Sequence, residues 1–362
     1  LFYRIFYQYI NELILMKNVL VLGNTQIDSF AFHIAQNFEV MGYEVSKFGF
    51  EFNTYESRSY FGKRVNKYFR YAFNQSLNLN FPRKMILKPL YRMIKENKVE
   101  LIVTTHDYLW PEEVAQIKQM GVKICLWFPD PIINFGKAYF LNANYDALFF
   151  KEPFIVNKIN KFSNLPVFYL PECFNTYAYK LPDEELKPVN DLVAFGSSYS
   201  WRELQLSNFK DYNLKIFGSD PPSWLKTSYD SSVHAGYPIF LDEKSKTLLE
   251  SKIVLNNINF GEIHSLSARI FETAGIGAFQ IFDETESVSD IFTKDECATF
   301  KNIDEMIHLV DYYLENKEER QKISALAKKR VWSDHTYEKR IKVLLDCVYD
   351  SGIGFESKLI VA

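Results

Sequence analysis

The sequence predicts an α/β protein of two Rossmann-like, doubly wound domains facing a cleft. Three observations carry that expectation. Short, continuously apolar runs alternate with helical stretches, as in parallel sheets covered on both faces. A polar, proline-containing stretch at 179–190 interrupts this pattern, which restarts at Asp191. The 362 residues, 47% of them hydrophobic, are too many for one ordinary core and enough to fill two.

In chain order, residues 1–15 (LFYRIFYQYINELIL) are aromatic, carry Arg4 and Glu12, and lack a small-residue cleavage site. They read as an upstream extension or loose amphipathic helix rather than a signal peptide. Met16 opens a first domain, 16–180, with strands expected at 18–22, 44–48, 101–105, 122–128, 147–150 and 167–170. Helices are expected at 29–41, 89–97 and 111–120, the first and last followed by Gly42 and Gly121 at cap positions. A linker at 181–190 leads to a second domain, 191–334. Its strands are expected at 191–196, 214–217, 253–256 and 278–282, and its helices at 201–209, 242–251, 266–275 and 303–315. A charged helical region, 317–349, breaks near Ser333-Asp334. Residues 335–362 then form a C-terminal helix and tail that cross back to the first domain.

Composition excludes several classes. A net charge of −3 gives no nucleic-acid signal. The four cysteines have neither metal-ligand nor redox spacing and read as reduced thiols of a cytoplasmic protein. No run reads as a transmembrane helix. No Gly-x-Gly-x-x-Gly follows the first strand, which disfavours a dinucleotide enzyme. No Asp-x-Asp occurs and no His/Cys cluster has zinc spacing, so neither metal nor cofactor is expected.

The most informative segment is His264-Ser-Leu-Ser-Ala-Arg-Ile-Phe-Glu-Thr-Ala-Gly-Ile-Gly-Ala-Phe-Gln-Ile-Phe-Asp283, read as loop, helix, glycine turn and strand. Ser265 is a plausible N-cap, and the amides of such a helix start suit a diphosphate. Arg269 and Glu272 share one face. The arginine can fork onto phosphate and the glutamate can accept from ribose hydroxyls. Gly275 and Gly277 suit a close backbone approach or a sharp turn. An ordinary surface Arg–Glu pair has the same signature.

This segment resembles the C-terminal domain of glycosyltransferases grouped with the spore maturation protein CgeB, whose Arg-x-Phe-Glu is here Arg269-Ile-Phe-Glu272. Val193-Ala-Phe-Gly196-Ser-Ser-Tyr199-Ser-Trp-Arg202, Ser251-Lys-Ile-Val-Leu-Asn256 and Asp334-His335-Thr336-Tyr337-Glu338 resemble further parts of that pattern, in the same order. The resemblance covers about residues 190–345. It implies a GT-B fold and a nucleotide-sugar donor, with Arg269 and Glu272 as its contacts. The residues themselves offer Gly196, Ser197, Tyr199 and Arg202 as a second phosphate-contacting turn, Gly236 as a loop contact, and His264 and Ser265 ahead of the helix. A helix cap by Ser200, a plain turn at Gly236 and a solvated loop histidine fit as well. His264 stands where many retaining GT-B enzymes carry a glutamate.

By the same analogy the first domain binds the acceptor: a glycan, lipid or protein. Its strand ends offer Asn24, Gln26 and Tyr108 for contacts, and His106, Asp107 and Asp130 as candidate general bases. Turn-stabilising roles fit the same residues. Between Ser57 and Lys95 there are ten cations and no acid, from Arg58 through Arg83 and Lys84 to Lys95, interleaved with aromatics. That stretch suits an anionic acceptor or peripheral contact with an anionic membrane. A solvated helix with its aromatics turned inward fits as well. The expectation is a metal-independent glycosyltransferase. The alternatives are a non-catalytic module binding nucleotide sugar or glycan, or a sugar-nucleotide epimerase or hydrolase.

Overall fold

The computed structural model describes residues 18–349, apart from 51–70, 73–74, 183, 185, 219–220, 222–223 and 226–230. The chain divides into two compact units, residues 1–126 with 139–146, and residues 127–138 with 147–362.

The first sheet is built from β1 (Asn18–Leu22), β2 (Glu44–Phe48), β3 (Leu101–Thr104), β4 (Lys123–Phe128), β5 (Ala147–Phe150) and β6 (Val167–Tyr169), in the order β2-β1-β3-β4-β5-β6. Its helices are α1 (Phe30–Val40), α2 (Asn80–Glu96), α3 (Pro111–Gln119) and α4 (Pro153–Phe162). The second sheet has the order β11-β10-β9-β7-β8, from β7 (Asn190–Phe195), β8 (Leu214–Phe217), β9 (Ser251–Leu255), β10 (Gln280–Asp283) and β11 (Ala298–Phe300). Around it lie α5 (Ser200–Leu206), α6 (Leu241–Leu249), α7 (Ala268–Ile276), α8 (Val288–Ile291), α9 (Ile303–Glu315) and α10 (Lys317–Asp334). The registered pairs in both sheets are parallel.

Successive residues of β7 explain its unbroken apolar run. Val193 and Phe195 enter one core with the helix α7, while Leu192 and Ala194 enter another with Met306 and Val310 of α9. Both faces are covered, so the strand shows no polar alternation.

The last helix, α11 (Tyr337–Tyr349), packs against β5. Tyr337 lies 6.0 Å from the Trp127 ring, and the buried Arg340 donates from Nε to the Pro171 carbonyl at 3.2 Å. The break before it falls at His335-Thr336, where Phe174 N–H donates to the His335 carbonyl. Burial, then the neighbouring Arg340 charge, lowers the His335 imidazole to about 4.

Three local expectations were off. Pro89 reads as a helix start, yet α2 begins at Asn80 and Pro89 lies inside it. The lost hydrogen bond is offset by burial of Leu87, Leu90 and Ile94. Helix α4 was not anticipated although it is amphipathic and opens on Pro153, and the edge strand β11, at three residues, is too short to carry a periodic signal.

Candidate functional site

The second sheet reverses its winding between β7 and β9, and open α/β sheets bind ligands at such switch points, beyond the strands' carboxyl ends. There β7 runs into Gly196, whose φ of 113° few side-chain-bearing residues adopt. After β8, a Cβ on Gly218 would lie 2.1 Å from the Gly196 carbonyl oxygen, so the two backbones meet as only glycine permits. Gly218 N–H donates to the Tyr237 carbonyl at 2.9 Å, drawing the exposed Gly236 turn to the same place.

Two arginines converge on this turn. Arg202, in the first turn of α5, is 1% exposed; its Nη2 donates to the Phe195 carbonyl at 2.8 Å and its Nη1 to the Ser197 carbonyl at 3.3 Å. Its Nε meets no acceptor. Arg269, the second residue of α7, donates to the same Phe195 carbonyl at 2.9 Å and to the Asn257 carbonyl at 3.0 Å. Among the described residues no carboxylate forms an ion pair with either guanidinium. Burial, then the positive charge of Arg269, pushes Arg202 down to about 9. The acids Glu203 and Asp283 act on them, neither in ion-pair contact, so two cations meet at this turn without a directly bonded counter-charge.

Other buried polar groups nearby in the chain lack partners as well. The side-chain amide of the fully buried Asn257, the Tyr199 hydroxyl and Ser267 Oγ have no hydrogen-bond partner. Buried polar atoms are nearly always satisfied. The arrangement suits an anion with several acceptor oxygens, such as a diphosphate.

Glu272, one turn after Arg269, differs. Its carboxylate is buried and accepts from Tyr179 Oη at 3.1 Å and Lys244 Nζ at 2.9 Å. Lys244 also lies 5.7 Å from the Phe195 ring centre. Lys244 was not legible beforehand, because Asp242-Glu-Lys-Ser-Lys246 reads as a solvated helix face.

The loop before α7 corrects two readings. Helix α7 starts at Ala268 with Ser267 in the N-cap position, not Ser265. Ser265 is instead buried, with its Oγ donating to Glu262 at 2.5 Å. The amides of Ile263, His264 and Ser265 all donate to Glu152 Oε2, at 3.0, 3.1 and 3.2 Å. A carboxylate of the chain itself thus occupies the anion position expected of this loop. His264 Nδ1 lies 3.5 Å from Glu286, with its ring edge-on to Phe154. Gly275 serves packing: a Cβ there would fall 2.3 Å from the Phe174 ring.

In the other unit the winding reverses between β1 and β3. Asn24 Oδ1 accepts from the Gln26 amide at 2.8 Å and builds the turn into α1, leaving Gln26 exposed. His106 Nδ1 lies 3.1 Å from Thr105 Oγ1 and 3.5 Å from the Tyr108 hydroxyl. Asp107 accepts from the amides of Tyr139 and Phe140 at 2.5 and 3.0 Å. Burial raises its carboxyl to about 6 against those two bonds. Asp130, in the unit of the second sheet, accepts from Asn134 Nδ2 at 3.1 Å within its own turn.

Arg83 is not available to an external anion: it is buried and bidentate to Glu113 at 2.6 Å for both contacts. Residues 58–70 of the basic stretch, and residues 1–15, lie outside the described residues. No described helix is long and apolar enough to cross a membrane.

Residues 201–346 match the model of a glycosyl transferase-like family. No curated protein sequence matches the chain. The fold is similar to sucrose-phosphate synthase from Thermosynechococcus elongatus, with a TM-score of 0.61 at 8% identity over 91% of this chain and 98% of that one. It is similar to Anabaena HepE, solved in complex with UDP, with a TM-score of 0.59 at 9% identity over 91% and 100%. A glycosyltransferase from Rickettsia africae ESF-5 gives 0.55 at 12% identity over 93% and 100%. At such identities the likeness is one of fold, and that fold is GT-B. The family match places a glycosyltransferase-like domain across most of the second sheet.

Proposed function

We propose that the protein transfers a sugar from a nucleotide-sugar donor to a hydroxyl of a glycan, lipid or protein acceptor, in the manner of the CgeB-like group its motifs resemble. The observation that carries this reading is the convergence of Arg202 and Arg269, neither in an ion pair among the described residues, on the Phe195 carbonyl at the β7–β9 switch point; both arginines lie within the matched residues. The donor's diphosphate accepts from their guanidiniums and from the Gly196-Ser197-Ser198 turn. As the bond from sugar to diphosphate breaks, negative charge grows on the leaving phosphate, and fixed cations stabilise it. In this scheme the two arginines supply the neutralisation that a metal supplies elsewhere. Tyr237, half exposed beside Gly218, offers a face for the base.

Glu272 accepts from a ribose while keeping Lys244 as its counter-charge. Acceptor deprotonation falls to His106 and Asp107 at the end of β3. Asp107 is the better candidate by its raised carboxyl, once its turn at 139–140 loosens.

Titration calorimetry tests the donor assignment, starting with UDP, the ligand that HepE holds, followed by GDP and ADP. Arg269→Ala is expected to weaken the best of these by about 1.5–3 kcal/mol, roughly 10- to 150-fold. Failure of the wild type to bind any of them would end this reading. Donor turnover without acceptor would favour an epimerase or hydrolase, and binding without turnover a non-catalytic module.

On the acceptor side, α2 exposes Phe81 and Met85 together with Lys84, Lys88, Arg92 and Lys95. Apolar anchors among cations fit an anionic membrane surface. Flotation with phosphatidylglycerol vesicles, absent with neutral ones, is the expected result, and charge reversal at Lys84, Lys88 and Arg92 should abolish it.

A further inference from the structure

Outside the arginine cluster, a dense group of buried charges lies where β5 ends. Lys151 and Glu152 directly follow Phe150, and both are buried. Lys151 Nζ donates to Glu172 at 3.1 Å and to Glu262 at 2.7 Å, while the second Glu262 oxygen accepts from Ser265 Oγ. Glu152 uses Oε1 to cap α4 at Phe154 N, at 3.2 Å, and Oε2 to collect three consecutive amides, 263 to 265. One dipeptide therefore grips a single tetrapeptide, 262–265, at four points, each made by a charged group.

That tetrapeptide sits midway along the connection between Asn257 and Arg269. The ends of the connection are already tied. Arg269 Nη2 donates to the Asn257 carbonyl at 3.0 Å, and the Ile258 amide donates to Asp283 at 2.6 Å. Between those ends the segment that carries Arg269 is also held by the buried Leu266 and by the Ser287 amide on the His264 carbonyl at 3.2 Å, but its buried charged contacts are those of Lys151 and Glu152. A Cβ on Gly261 would lie 3.0 Å from Ile133, so this stretch also packs tightly against the chain.

We infer that Lys151 and Glu152 are positioning residues of the donor site: they latch loop 262–265 and so set where Arg269 and Asn257 meet the diphosphate. This rests on the donor reading above. Glu152 touches no donor atom itself; it acts through the loop amides. Its carboxylate is the one group in the loop's surroundings that gathers all three amides, and an amide side chain cannot replace it. Glutamine would present an N–H₂ toward N–H donors from one of its two positions, and its oxygen carries less charge.

The test combines hydrogen exchange with nucleotide affinity. In Glu152→Gln, exchange at amides 263–265 is expected to quicken at least tenfold, and the affinity for UDP, or for whichever of UDP, GDP and ADP binds the wild type best, to fall at least fivefold. Glu152→Asp keeps the charge and should recover part of both. A purely structural clamp would lower the melting temperature but leave affinity, measured well below melting, within twofold of wild type. That result, or unchanged exchange in the Gln variant, overturns the inference. If Glu152→Gln does not fold, Glu262→Gln, which takes the charge off the Lys151–Glu262 contact and leaves the three amides on Glu152, should lower affinity by a smaller factor; unchanged affinity there is again fatal. Absence of nucleotide binding by the wild type would strike the donor reading first, before any substitution is made.

Discussion

Arg83 and Arg202 are both buried arginines, 4% and 1% exposed, and the difference between them separates architecture from site. Arg83 meets Glu113 through two hydrogen bonds, donates to the Leu77 and Tyr108 carbonyls, and lies 4.4 Å from the Trp110 ring centre. One acid balances one cation, and nothing is left for a ligand. Arg202 hydrogen-bonds to carbonyl oxygens alone and faces the like charge of Arg269, with Glu203 acting on it only at longer range. Lys151 is a third case, with two acids for one cation. Arg83, matched by an acid, holds the fold; Arg202, bonded only to carbonyls and pressed by Arg269, is the one we read as meeting an anion.

The sharpest way to break this comparison is to make Arg83 resemble Arg202. Glu113→Ala leaves a buried guanidinium without its counter-charge and is expected to cost about 3–5 kcal/mol of stability in urea unfolding. A loss below 1 kcal/mol would show that burial of an arginine here needs no acid, and the contrast would carry no meaning.

The excess acid at Lys151 gives the next effect. Burial, the largest influence, and then the Glu262 charge push the Glu172 carboxyl up to about 7, although Lys151 opposes them. The native state therefore binds this proton more tightly than the unfolded chain, whose glutamate titrates near 4.5. Stability linked to Glu172 is full below pH 4.5 and declines as pH rises through 7. Comparing wild type with Glu172→Gln across pH 4.5–7.5 should show a differential decline of about 2–3 kcal/mol. Parallel curves would mean that Lys151 already balances both acids.

The smallest stability effect belongs to Arg202, and it is the most diagnostic. Arg202→Met fills similar volume without charge, so folding stability should stay within about 1 kcal/mol of wild type or rise. Nucleoside diphosphate affinity should nevertheless fall about tenfold or more. A large stability loss with intact affinity would move Arg202 into the class of Arg83.

What was legible in the sequence follows from how local each signal is. Continuous apolar runs marked β1 and β5 at their observed bounds, since a strand covered on both faces is apolar throughout, and β2 and β8 were bounded correctly although each carries a lysine. The proline-containing stretch at 179–190 preceded a restart that is β7, the first strand of a separate sheet. Arg269 and Glu272 were identifiable as neighbours on one helix face because three-residue spacing fixes that geometry.

What only the tertiary structure decided is which charges meet. Arg83 looked like one more cation in a basic run, yet Glu113, thirty residues on, claims it. Ser265 looked like an N-cap, but Glu152 reaches that loop from 113 residues away and takes its amides. Glu272 was read as free for a ribose, and the structure puts Lys244, from a charged helical stretch that gave no sign of a buried partner, 2.9 Å from it. Local pattern fixes secondary structure because backbone periodicity is a property of neighbouring residues. The pairing of buried charges is settled by desolvation across the packed fold, where partners are set by the strand order β11-β10-β9-β7-β8 and its companion sheet rather than by distance along the chain.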